Sequence, residues 1–69
     1  MTTDDVNRRV DQIRKIWVRD GDAGLCHGME DELRGDVLFA IADGVAEDAE
    51  AMASAALRSD DIMFARRCA

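Results

Sequence analysis

Apolar residues return every three or four positions through most of this chain, and that rhythm predicts three helices. Val6, Val10, Ile13 and Trp17 form a narrow stripe, with Arg8, Asp11, Gln12, Lys15 and Arg19 on the other side. Cys26, Met29, Leu33, Val37, Ala40 and Ile41 form a second stripe, since positions so spaced line one side of a helix turning about 100° per residue. Ala49, Met52, Ala53, Ala56 and Leu57 share a third face, where the alanines let another helix backbone come close. These stripes place helices over approximately 3–18, 23–43 and 47–59.

The breaks between them carry their own chemistry. The first helix starts after Thr2 or Thr3, and Arg19-Asp20-Gly21-Asp22 reads as a tight connection. Asp22 is placed to accept from the first-turn amides of the second helix, and Gly44 can take the left-handed conformation that closes its last turn. Gly28 and Gly35 each cost that helix up to ~1 kcal/mol against alanine, and Gly28 offers a place to split it. Ser59-Asp60-Asp61 ends the third helix or caps a final turn, Ile62 and Phe64 tuck the remaining segment onto the core, and Arg66 and Arg67 are left at the surface. The expected fold is all-α: one domain over residues 1–69, a small three-helix bundle with a short C-terminal turn.

Leu38 and Phe39 fall off the second stripe, so that helix is apolar on more than one side late in its length. A chain of 69 residues also builds only a small core, rarely supplying more than ~3–5 kcal/mol. Both points predict self-association, as a dimer with Leu38, Phe39 or Trp17 near the contact. Cys26 lies on a stripe and reads as a small core residue, whereas Cys68 reads as a free thiol rather than a disulfide partner.

Composition narrows the setting. The amino-terminal M-T-T-D-D is acidic and lacks an apolar run of signal-peptide length, and no stretch of ~18 apolar residues could span a bilayer. A cytoplasmic protein without a membrane partner is expected. The net charge is −6, and its distribution is uneven: residues 21–50 hold nine carboxylates against Arg34 alone. Such a field repels phosphate, so direct nucleic-acid binding is not expected; it either keeps the chain solvated or docks a basic partner.

Candidate chemistry is sparse. His27, Glu30 and Asp31 sit three and four positions apart and could meet on one helix face, as a metal pair or as a surface histidine bonded to an acid. A first-row metal wants three or four protein ligands, and no other histidine exists in the chain. Glu32, Asp36 and Asp43 form a second acidic row, which resembles the spacing of acids in magnesium-dependent, all-helical nucleotide pyrophosphohydrolases. Those enzymes need a facing acidic helix, whereas Glu47, Asp48 and Glu50 are bunched at the start of the third helix, and Asp36 and Glu32 have Arg9 as an alternative partner. Ser54, Ser59 and the cysteines lack an assembled base, and no glycine-rich phosphate loop follows a strand. No catalytic, cofactor or metal residues are assigned, and an independent enzyme is not expected.

Two segments resemble a known group. A-G-L-C-H-G-M-E-D-E-L-R-G-D-V-L-F-A-I-A-D-G and the ending A-L-R-S-D-D-I-M-F-A-R-R-C-A are similar to short uncharacterised proteins encoded by bacteriophages of actinobacteria. The shared pattern is a histidine before Glu-Asp, an apolar helix ending Ile-Ala-Asp-Gly, then Ala-Leu-Arg and an acidic-apolar tail, over about half the chain. Those relatives tend to end Arg-Trp-Cys-Ala, whereas this chain has Arg66-Arg67-Cys68-Ala69. The resemblance implies a phage context and no particular activity. The leading expectation is an accessory protein that binds a host or phage protein through Trp17, Glu30, Asp31, Glu32, Leu38 and Phe39. The alternatives are a metal-assisted hydrolase fragment using Glu32 and Asp36, or a purely structural small oligomer.

Overall fold

Each of the three described α-helices begins at a side chain that caps it. In the computed structural model, which describes residues 1–66, α1 spans Thr3–Asp20, α2 Ala23–Ala42 and α3 Ala49–Leu57. Thr2 Oγ1 accepts from the Asp5 amide at 3.1 Å while Asp5 Oδ2 accepts from the Thr2 amide at 2.9 Å, a reciprocal capping box. Asp22 and Asp48 cap α2 and α3 by accepting from the amides of Leu25 and Ala51, each at 3.0 Å.

Two glycines stop the first two helices, both in the left-handed region that costs other residues most. Gly21, at φ 62°, closes α1 by donating its amide to the Trp17 carbonyl. Gly44, at φ 72°, follows α2, and the Val45 amide then reaches back to the Ala40 carbonyl at 2.9 Å. The amino terminus fastens the connection to α3, since the Met1 carbonyl accepts from the Glu47 amide at 3.2 Å. After α3 a 3-10 turn, Arg58–Asp61, redirects the chain.

The three helices pack against one another around a single core. α1 contributes Val6, Val10 and Ile13; α2 contributes Cys26, Leu33, Val37 and Ala40; α3 contributes Met52, Ala55 and Ala56. Ile62 and Phe64 cover one end, as their position after the Asp60-Asp61 break predicted. Removing a leucine- or methionine-sized side chain from water contributes about 1.5–3 kcal/mol, so Ile13, Leu33 and Met52, all fully buried, carry much of the fold. The described residues contain helices and no strand, in agreement with the all-α expectation.

α2 runs unbroken through Gly28, as the single helix expected over 23–43. Three details differ from the sequence reading. α1 continues two residues beyond Val18, to the glycine that can terminate it. α3 starts at Ala49, where its cap allows, and turns its Met52-Ala55-Ala56 face inward, leaving Ala49 and Leu57 exposed. Ile41, expected in the core, is 37% exposed, because it rotates to the flank of the stripe that buries Leu33, Val37 and Ala40. Arg67 and Cys68 lie outside the described residues, and the expectations for them with them.

Candidate interaction surface

The six residues expected to form a docking surface divide into three groups. Asp31, Glu32, Leu38 and Phe39 are exposed on α2; Trp17 is partly buried; Glu30 is buried. Trp17 rests on the core with its ring 6.1 Å from that of Phe64, so the C-terminal segment covers part of an indole expected to form an exposed rim.

Glu30 requires a correction. Its position, four after Cys26 and three before Leu33, puts it on the buried stripe of α2, and its side chain keeps 2% of its surface. Charge suggested exposure, but geometry supplied partners instead. Ser59 donates its hydroxyl to Oε2 at 2.6 Å, and Arg66 donates from Nε to Oε1 at 2.9 Å and from Nη2 to Oε2 at 3.0 Å. Arg34, one turn along α2, lies 3.6 Å from the same carboxylate. Burial alone would push the Glu30 carboxyl up; the Arg66 and Ser59 hydrogen bonds and the charges of Arg34 and Arg66 outweigh it and hold the group below the usual carboxylate range.

Arg66, expected at the surface, is the clasp of this network. It also donates to the carbonyls of Ser59 and Ile62, at 2.7 and 3.0 Å, and its guanidinium sits 3.9 Å from the centre of the Phe64 ring. The Glu30 hydrogen bonds raise its own pKa further. A bidentate fork that also satisfies two turn carbonyls fixes the C-terminal segment across the end of the bundle. The network ties the C-terminal segment to α2 through Glu30.

Three of the other polar candidates have partners within the chain. His27 Nε2 lies 3.6 Å from Asp31, the pairing its spacing predicted, while Glu30 turns inward and leaves that cluster. Asp36 accepts from Arg9 at 2.8 Å, and Asp48 caps α3. Among the described residues no three histidine, cysteine or acidic side chains are grouped to hold a metal ion. Cys26 is fully buried with its thiol 3.8 Å from the Ile13 carbonyl, and burial, with the nearby charges of Asp22 and Asp20, pushes that thiol up, away from nucleophilic use.

Beside the exposed acids, α2 also presents open apolar surface. Leu38 is 67% and Phe39 71% exposed on the side of α2 facing away from the core. They flank a shallow depression floored by Gly35 and Ala42. On the other side of Leu38 a groove of about 220 Å³ runs between α2 and α3, lined by Arg34, Val37, Leu38, Ala53, Ala56 and Leu57. Leu57, expected in the core, is instead the outer wall of this groove, 57% exposed. No protein-family model, curated protein or solved structure matches the chain. No helix among the described residues is long and apolar enough to cross a membrane.

Proposed function

We propose that the chain is a phage-encoded accessory protein that works by binding another protein, in the cytoplasm of a bacterial host. The observation that supports this reading is the double-sided character of α2. One face is consumed by the core, and the outward face still presents two large apolar side chains, Leu38 and Phe39, where the fold has no use for them. Gly35 sits one turn before them and between them in rotation, yet a Cβ added there would meet nothing within 4 Å. The fold therefore does not call for a glycine whose helix cost is up to ~1 kcal/mol, whereas a close-packed partner would. Exposed apolar residues supply most of the affinity in such contacts, and Asp31 and Glu32 on the same helix steer the encounter.

A second copy of the chain is the other occupant this face suggests, because Leu38 and Phe39 are suited to a depression floored by Gly35 and Ala42. Sedimentation across a concentration series separates the two. The docking reading is tested by affinity capture from phage-infected and uninfected host lysate with wild type and with Asp31→Asn/Glu32→Gln, followed by mass spectrometry. A DNA mobility shift is run in parallel at physiological salt. A reproducible protein partner captured less at high salt and less by the charge-reduced variant is expected, with no DNA shift; tight DNA binding would overturn the class.

A further inference from the structure

The outer grooves of this bundle differ in character. The one between α1 and α2 is mostly polar, lined by Arg9, Gln12, Ile13, Met29 and Glu32, with Arg9 held by Asp36 at 2.8 Å. The one between α2 and α3 has alanines 53 and 56 on its floor and Leu38 and Leu57 as its walls. Small residues between two leucine ridges admit a third helix at the usual interaxial distance of about 8–10 Å. A helix pressing its apolar stripe into such a groove is a recurrent mode of recognition.

Charge at the ends of the groove selects the occupant. Asp31 lies seven residues before Leu38 and Glu50 seven before Leu57, so each shares its leucine's face of the helix. α2 and α3 run antiparallel, as the contacts of Arg34 with Ser59 and Asp60 and the shared lining of Val37 and Ala56 require. The two acids therefore stand at opposite ends. Taking Val37 and Ala56 as facing positions and about 1.5 Å of rise per residue, they are roughly 18 Å apart, near twelve residues of a bound helix. Arg34, the cation that lines the groove, is already held by Asp60 at 2.7 Å and lies 3.6 Å from Glu30. A second copy of this chain would bring the same acids and another net charge of −6 to both ends.

We propose that the α2/α3 groove receives an amphipathic helix of a partner protein whose apolar stripe is flanked by lysine or arginine at both ends. It rests on the docking reading but names a different surface, with Leu57, Ala53 and Ala56 at its centre rather than Phe39. The probe is a pair of synthetic helical peptides of about eighteen residues with one leucine stripe, one flanked by lysines and one by glutamates, followed by fluorescence anisotropy. Chemical-shift mapping on labelled protein locates the bound peptide. Saturable binding is expected for the lysine peptide, about tenfold tighter than for its twin, the combined effect of two exposed ion pairs. Leu57→Ser should weaken it roughly 30-fold, as loss of a buried anchor does, with the circular dichroism melt unchanged. The mapped shifts should fall on residues 34–38 and 53–57.

Equal affinity for the two peptides, no saturable binding, or shifts at Arg9, Gln12 and Glu32 would overturn it. Concentration-dependent shifts at 38 and 57 without peptide would overturn it in favour of a second copy. Native partner capture abolished by Phe39→Ser but unaffected by Leu57→Ser would leave the docking reading standing and remove this groove from it.

Discussion

Arg66→Ala should cost this small domain a large part of its stability, although Arg66 is the last of the described residues. The substitution leaves Glu30, with 2% of its side-chain surface exposed, without the fork that neutralises it. Breaking a buried pair from one side costs about 3–5 kcal/mol. Arg66 itself keeps 29% exposure, and Ser59 and Arg34 still face the carboxylate, which places the expected loss nearer about 2–3 kcal/mol. A chain of 69 residues has roughly 3–10 kcal/mol in total. At about 4–8 °C per kcal/mol, the melting temperature should fall by about 10–20 °C. The diagnostic comparison is a double-mutant cycle in urea, because Glu30→Gln removes the stranded charge. Glu30→Gln/Arg66→Ala should be more stable than Arg66→Ala alone. A loss below about 1 kcal/mol for Arg66→Ala, or a double variant less stable than that single one, would refute the clasp.

The same network sets a pH signature. In the wild type the folded Glu30 carboxyl titrates below its unfolded value of about 4.3, so its stabilisation is complete above that pH and is lost as pH falls through the lowered folded value. In Arg66→Ala burial dominates and raises the folded value instead, so the deficit against wild type should narrow between pH 7 and about 4.5; a constant deficit across a urea series would contradict this. Gly21→Ala should destabilise by about 1 kcal/mol, read by thermal melting, since φ 62° there suits only glycine well. Gly35→Ala should instead raise the melting temperature, by up to about 1 kcal/mol of stability, while weakening partner capture. In a Cys68→Ser background, Cys26 should react with a thiol reagent only as fast as the chain opens, so a burst of native-state labelling would count against its burial.

Much of the fold is legible in the sequence because its signals are local. Thr2, Asp22 and Gly44 mark helix ends through hydrogen bonds within a few residues, and Val6, Val10 and Ile13 fix the buried side of α1 by spacing alone. The site is harder, because the residues that decide it act at long range. Glu30 carries a positional signal, lying squarely on the Cys26–Leu33 stripe, but its charge argues the other way. The partners that make its burial tolerable, Ser59 and Arg66, are 29 and 36 residues distant. In α3 the alanines blur the stripe: Ala53 and Ala55 are equal in propensity, so sequence could not tell the Met52-Ala55-Ala56 face from one including Leu57. Leu38 and Phe39 fall off the second stripe and are exposed as that rotation requires.

If α2 uses one face to fold and the other to bind, Leu38→Ser/Phe39→Ser separates the two roles with two readouts on one sample. Both side chains are largely exposed, so the melting temperature should stay within about 3 °C of wild type, the range of ordinary surface changes. Capture of the partner held by wild type should be lost. Retained capture, or a melting temperature lowered as far as by a core substitution, would contradict this division of the helix.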